Sequence, residues 1–283
     1  MKPKVSVLTP VYNTNPEYLR ECIDSILNQT FTDFEFLILN DSPENDELEK
    51  FILEYEDKRI KYFKNEKNIG ISKSRNKLVE LAQGEYLAIF DHDDVSLSDR
   101  LTLEVEYLDS HPDVGMVSGW DEFFGIDNRI RKYPEHDAQI KRTLVDHSCV
   151  NHTAAMIRKS ILIDNNIHYE EEYSPAEDYM LFVRLMAVTN FYNFQKVLVR
   201  YRTYEQNTSN TQNVKMANAA VKIRCFAHNC YPAYWEDFVH SDDSHRTFLK
   251  VYLLGIFPLF KIRNNWVYLF NFIPIIKLRW KGI

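Results

Sequence analysis

Short β-branched runs alternate with amphipathic stretches through the first third of the chain. KVSVLT (4–9), EFLILN (35–40), IKYF (60–63) and EYLAIF (85–90) have the length and composition of strands. Between them the apolar positions change period. Leu19, Cys22, Ile23, Ile26 and Leu27 fall at i, i+3, i+4, i+7 and i+8, which lines one side of a helix predicted from Pro16 to Gln29. Asn15 and Pro16 supply its N-cap and its first-turn proline. Leu48, Phe51, Ile52 and Tyr55 repeat the spacing in a helix near 46–56, and a third helix is predicted near 72–83. Strands separated by helices of this length imply right-handed crossovers and a mostly parallel sheet covered on both faces, a doubly wound α/β domain.

The second half changes character. VGMVSG (114–119), RIRKY (129–133) and NHTAAMI (151–157) read as strands of a mixed subdomain, a helix is predicted over 174–188, and FYNFQKVLVRYR (191–202) is again β-rich. After about residue 214 the chain reads as helical, then as apolar and basic. This divides it into 1–105, 106–214 and an extension, 215–283. No internal repeat is read.

In doubly wound sheets ligands bind beyond the carboxyl ends of the strands. Three polar clusters sit there: Thr9 to Asn13 (TPVYN), Asn40 to Ser42 (NDS), and Asp91 to Asp94 (DHDD). Like charges about 5 Å apart repel by roughly 0.8 kcal/mol even in water, so packing Asp91, Asp93 and Asp94 together calls for a cation. An isolated D-x-D is ordinarily a solvated acidic turn; convergence of three polar strand ends on one rim favours a site.

Composition narrows the chemistry. A 45% hydrophobic, 14% aromatic chain of 283 residues builds a real core. A net charge of -7 argues against a nucleic-acid binder. Seven glycines form neither G-x-G-x-x-G nor G-x-x-x-x-G-K-[ST], so any diphosphate bound at the rim needs neutralising by other means. A divalent ion on Asp93 and Asp94 would serve, and hard oxygen ligands point to Mn²⁺ or Mg²⁺. Cys22, Cys149, Cys225 and Cys230 are irregularly spaced and no charged-then-apolar leader precedes the first strand; they read as buried structural thiols of a reduced, cytoplasmic protein.

Taken jointly, VSVLTPVYN, ILNQTF, NDS, NIGISKSRN, GEYLAIFDHDD and the later AED resemble family 2 glycosyltransferases of the GT-A fold, over roughly residues 3–205. The resemblance implies an inverting, metal-dependent transfer of a sugar from a nucleotide diphosphate, usually UDP-linked, with 1–105 as the nucleotide-sugar half and 106–214 as the acceptor half of one domain. Pro10, Tyr12 and Asp41 match positions that hold the base, Tyr12 stacking on uracil and Asp41 accepting from N3; Asn13 closes the same cluster. Arg75 matches a basic position in the nucleotide pocket, Asp93 an aspartate that touches ribose or metal, and Asp94 the metal ligand. Asp91 belongs to the same nucleotide-binding motif. Asp178 matches the catalytic base, at a helix start whose partial positive charge favours ionisation. Glu177 and His152 are candidate acceptor-site residues, His152 equally readable as structural, and His92 reads as a spacer. Many similar sequences carry Y-R-x-H after the second β-rich run; here it is Tyr201-Arg202-Thr203-Tyr204, so a histidine contact is absent or replaced.

The tail from Phe248 to Ile283 is too interrupted to span a bilayer: Lys261 and Arg263 break its apolar blocks and Pro258 and Pro274 its helices. Trp266, Trp280, Lys277, Arg279 and Lys281 among Leu, Ile and Phe suit an interfacial anchor at the inner face of the membrane; a docked helix or an oligomer interface is the competing reading. The expected enzyme therefore transfers a hexose or N-acetylhexosamine to a saccharide or glycolipid acceptor in surface glycan synthesis, such as lipopolysaccharide or capsule. Transfer to a polyprenyl phosphate and a catalytically silent binding module are the alternatives.

Overall fold

A computed structural model of the chain describes residues 2–207, 211–241, 250–253, 257–263, 266–269 and 273–277. The predicted alternation holds in β1 (Val5–Val11), α1 (Pro16–Leu27), β2 (Phe34–Asn40), α2 (Asp46–Leu53), β3 (Ile60–Lys64), α3 (Ile71–Leu81) and β4 (Tyr86–Ile89). Asn15 caps α1 by accepting from the Glu17 N–H at 2.9 Å. The helix ends two residues before the predicted Gln29, because the Gln29 amide binds Ser96 Oγ and the Leu97 carbonyl and accepts from Leu101 N–H. β3, β2, β1 and β4 lie side by side and parallel.

The second half adds β5 (Val95–Ser96), α4 (Arg100–Ser110), β6 (Val114–Gly125), β7 (Ile130–Arg131), α5 (Asp137–Leu144), β8 (Met156–Arg158), α6 (Lys159–Asp164), α7 (Glu177–Leu185), β9 (Asn190–Thr203), α8 (Asn213–Cys230) and α9 (Pro232–His240). β8 inserts antiparallel between β4 and β6, β9 runs parallel to β6, and the sheet order is β3-β2-β1-β4-β8-β6-β9-β5 with β7 on β6. The strand predicted over 151–157 is reduced to β8, preceded by a 3₁₀ turn, His152–Ala154.

Alternate strand positions feed two cores. Val5, Val7, Phe36 and Ile38 pack with α1, α2 and α4 residues such as Leu19, Ile23, Leu48 and Leu101. Leu8, Leu37 and Leu39 pack on the other face with Leu78, Ile140 and Met180 from α3, α5 and α7. A fully buried ion pair, Arg100 with Glu104, ties α4 to the ends of β4 and β8 through Arg100 Nη2, which donates to the carbonyls of Ile89 and Ala155. Burial pushes the Glu104 carboxyl up to about 7 against the pull of Arg100.

Three expectations change. Cys225 and Cys230 are exposed, because α8 buries the stripe Ala219, Ile223 and Ala227 and both cysteines fall off it. The extension does not stay helical: beyond α9, β10 (Lys250–Leu253), β11 (Phe257–Arg263), β12 (Trp266–Leu269) and β13 (Ile273–Lys277) form an antiparallel sheet in sequence order. Its register exposes a repeat missed in the sequence. VYLLGIFPLFKIR (251–263) returns sixteen residues later as VYLFNFIPIIKLR (267–279), and the pairs Tyr252–Pro258 and Tyr268–Pro274 recur at matching register shifts. Prolines that stop helices are tolerated at such irregular strand positions. Trp280, Arg279 and Lys281, named for the membrane anchor, lie outside the described residues. Among the described residues no helix is long and apolar enough to cross a membrane.

Candidate active site

The carboxyl ends of β1 to β4 form one rim. Thr9 Oγ1 donates to the Phe90 carbonyl at 2.9 Å, joining the ends of β1 and β4. Pro10 is buried in β1 opposite Leu39, whereas Tyr12 is 55% exposed. Asn13, at φ 45°, turns the chain and donates its N–H to Ser42 Oγ at 2.7 Å.

Asp41 is nearly saturated. Oδ1 accepts from Asn65 Nδ2 at 2.8 Å and Ile69 N–H at 2.9 Å, and Oδ2 from Gly70 N–H at 2.9 Å. A carboxylate offers about four acceptor directions, so roughly one remains for a ligand. Gly70 sits at φ 83°, which explains the glycine of NIG: it turns its N–H onto Asp41 as α3 begins. Asn65 also accepts from Lys77 Nζ at 2.7 Å. Sequence reasoning missed Asn65, although the rule used for the other three strands, a polar residue just past the end, applies equally to IKYFKN.

The three acids of DHDD diverge. Asp91 accepts from Arg75 Nη2 at 3.1 Å and donates its N–H to Thr153 Oγ1 at 3.0 Å. Asp93 is half-buried and accepts from the Tyr204 hydroxyl at 2.7 Å. Asp94 is fully buried; Oδ1 accepts from the Arg202 N–H at 2.9 Å and Oδ2 has no hydrogen-bond partner. Burial, then the charges of Asp93 and Asp91, push its carboxyl well above the usual range. Hard oxygens and one orphaned buried carboxylate oxygen suit Mn²⁺ or Mg²⁺. Among the described residues, however, no three His, Cys, Asp or Glu side chains converge to cage an ion. His92 Nδ1 is buried without a partner.

Arg75 is not free in a pocket. It reaches from Asp91 to Glu177, donating through Nη1 to Glu177 Oε1 at 2.6 Å, with side-chain exposures of 11% and 4% for the two partners of that pair. Its guanidinium also lies 5.5 Å from the centre of the Tyr169 ring, whose hydroxyl meets His152 Nε2 at 3.0 Å. His152 is thus enclosed; burial, reinforced by the positive charge of Arg75, pushes its pKa down to about 3 and keeps it neutral. Asp178 opens α7 and accepts from the Tyr179 N–H at 2.8 Å. Burial, then the charge of Glu177, push its pKa up to about 6 despite Arg75. The helix start was expected to favour ionisation; burial and the like charge outweigh it.

The structure therefore brings Asp91, Arg75, Glu177 and Asp178 together, and places Asp93 and Asp94 beside the end of β9. Arg202 and Tyr204 there were not among the expected site residues. Arg202 Nε donates to the Asp93 carbonyl at 2.8 Å and Nη2 to Glu21 Oε2 at 2.9 Å.

The structure superposes on the S. aureus TarS fragment 1–349 in complex with UDP-GlcNAc, with a TM-score of 0.66 at 20% identity over 84% of this chain and 72% of that one. It also superposes on a mannosyltransferase from Pyrobaculum calidifontis in complex with GDP-Man and Mn²⁺, with a TM-score of 0.62 at 16% identity over 85% and 69%. The curled, mostly parallel sheet is the GT-A fold. The sequence profile of Glycosyl transferase family 2 matches residues 6–165, and the chain belongs to that family of transferases. It is 37% identical to an uncharacterized glycosyltransferase of Methanocaldococcus jannaschii over 71% of both chains. It is 27% identical to the UDP-Gal:α-D-GlcNAc-diphosphoundecaprenol β-1,3-galactosyltransferase of Escherichia coli, over 84% of this chain and 88% of that protein.

Proposed function

We propose that the protein is an inverting, metal-dependent transferase that moves a hexose or N-acetylhexosamine from a UDP-sugar to a saccharide or glycolipid acceptor in the synthesis of a surface glycan such as lipopolysaccharide or capsule. The observation that carries this reading is the Arg75 bridge, which sets the acidic motif of the donor half against the carboxylate pair of the acceptor half. Similarity to structures holding UDP-GlcNAc or GDP-Man with Mn²⁺ supports a nucleotide-sugar donor. The name of the E. coli relative favours an acceptor sugar carried on a polyprenyl diphosphate.

In this reading Tyr12 stacks on uracil and Asp41 accepts from it, held in place by Asn65, Ile69 and Gly70. Asp178 accepts the proton of the acceptor hydroxyl. The acceptor oxygen bonds to the anomeric carbon from the face opposite the leaving group, the bond from that carbon to the diphosphate oxygen breaks, and UDP leaves with the electron pair. At a pKa near 6 the Asp178 carboxyl is roughly nine-tenths ionised at pH 7 and still basic enough to matter; general-base help of this kind typically contributes about 10²- to 10⁴-fold. Asp93 with Asp94 would hold Mn²⁺ or Mg²⁺, which when bound neutralises charge growing on the diphosphate.

The tail supports placement at an anionic membrane surface. Residues 244–283 contain seven Lys and Arg and no Asp or Glu, inside a chain of net charge -7. Basic clusters of this kind are attracted to anionic leaflets. Calorimetry of UDP with and without Mn²⁺, followed by UDP release from a panel of UDP-sugars, tests the enzyme. UDP should bind more tightly with Mn²⁺ and at least one sugar should turn over. Equal affinity in EDTA removes the metal from the proposal, and no release from any nucleotide sugar leaves a binding module.

A further inference from the structure

We infer that Tyr204 is a positioning residue that aims Asp93 at the incoming metal–diphosphate without cancelling its charge; this rests on the proposed role of Asp93 as a metal ligand. The three acids of DHDD are treated differently by their neighbours. Asp91 faces a guanidinium, which offsets its charge. Asp94 is sealed in, one oxygen committed to the backbone N–H of Arg202. Asp93 keeps access to solvent, and its side chain is met by a neutral hydroxyl at 2.7 Å. A carboxylate only accepts, so the phenol donates. A neutral donor fixes the direction of the carboxylate and leaves its net charge for a cation, whereas Lys or Arg at this place would neutralise it.

Tyr204 is itself held at its ring and at its backbone N–H. Its ring packs on Tyr18, with centroids 5.4 Å apart, and Tyr18 is in turn covered by the Arg202 guanidinium at 4.2 Å. Its N–H donates to Asn207 Oδ1 at 2.6 Å, and Asn207 Nδ2 donates back to the Arg202 carbonyl at 3.2 Å. Together with the Arg202 contacts to the Asp93 carbonyl and to Asp94, the end of β9 grips the motif at three atoms. Hydrogen-bond partners that orient ligating side chains typically contribute about 10- to 100-fold to metal affinity.

Tyr204→Phe removes the hydroxyl and keeps the ring. The test is calorimetry of UDP across an Mn²⁺ series, with circular dichroism and Tm as controls. The expected result is a Mn²⁺ requirement raised by about 10- to 100-fold, with UDP affinity in EDTA unchanged and the fold intact. In an Asp93→Asn background the same substitution should add nothing, since it acts through that carboxylate. Mn²⁺-dependent binding that Tyr204→Phe leaves unshifted overturns the inference alone, and so does a further loss in the Asp93→Asn background. Metal-independent UDP binding by the unsubstituted protein overturns the metal reading and this inference with it. If Tyr204→Phe failed to fold, Tyr204→His, which retains a donor, should keep the Mn²⁺ requirement near that of the unsubstituted protein while Tyr204→Leu raises it; equal behaviour of the two overturns the inference.

Discussion

Asp41 follows the end of β2 and Asp178 lies in the first turn of α7, and they are held in opposite ways. Asp41 accepts three N–H hydrogen bonds from one loop and its neighbouring strand end. Asp178 accepts one, from the residue after it, and shares its surroundings with Glu177. The first arrangement fixes where a carboxylate is; the second sets how readily it takes a proton. The proposed roles match: donors around Asp41 suit recognition, and burial with a like charge suits proton acceptance at Asp178.

The comparison predicts opposite signatures. Asp178→Asn keeps the shape but removes basicity, so kcat should fall by about 10²-fold or more while UDP affinity stays unchanged. Near-normal turnover in a folded Asp178→Asn protein would move the base to Glu177. The pH profile comes next. Protonated Asp178 cannot accept a proton, so kcat/KM should fall about tenfold per pH unit below about 6 and level off above it. The stability sign is opposite. The folded carboxyl holds its proton to about 6 and the unfolded one only to the ordinary 3.8, so its contribution is present below that ordinary value and is lost as pH rises through about 6. Asp178→Asn should therefore raise Tm at pH 7.5 and leave it unchanged near pH 3.5.

Asp41→Asn sets an amide NH₂ against N–H donors. Leaving them unpaired costs about 1–3 kcal/mol, which should appear as roughly tenfold weaker UDP binding and a lower Tm, with kcat at saturating donor close to normal. A kcat loss as large as that of Asp178→Asn would erase the distinction between the two acids. The smallest effect is expected for Gly70→Ala. At φ 83° and ψ 164° Gly70 occupies a region essentially reserved for glycine, where a side chain costs about 1–3 kcal/mol, so Tm should drop by a few degrees, and UDP affinity should weaken a few-fold as the Gly70 N–H shifts on Asp41.

Much of this was legible in the sequence because it is local. The period of the apolar positions gives β1 to β4 with α1 to α3, and the rule that ligands meet strand ends picks out Asp41 and Asp91 to Asp94. What was not legible depends on long-range pairing. Nothing in NHTAAMI says that only its end becomes β8, inserted between β4 and β6. Nor does DHDD say that Asp94 turns inward to the backbone of a strand more than a hundred residues away. Arg75 reads as a pocket cation until Glu177, 102 positions on, closes the pair. In the tail, proline and interrupted apolar blocks argued against a spanning helix, and the described residues there are strands. The sixteen-residue repeat escaped notice because conservative changes such as Leu259 to Ile275 hide it until the strands are set in register.

The order of the main sheet bears on how copies of this protein meet in a crowded solution. Its path ends in β3, five residues long, and in β5, only two. β3 carries Lys61, exposed, and Lys64, paired with Glu49 at 2.6 Å. Two short borders, the β3 one bearing lysines, give a neighbouring chain little backbone to zip onto. Replacing Lys61 by valine would lengthen the apolar run of IKYF and turn that border into an invitation to aggregate, without touching a single residue of the rim.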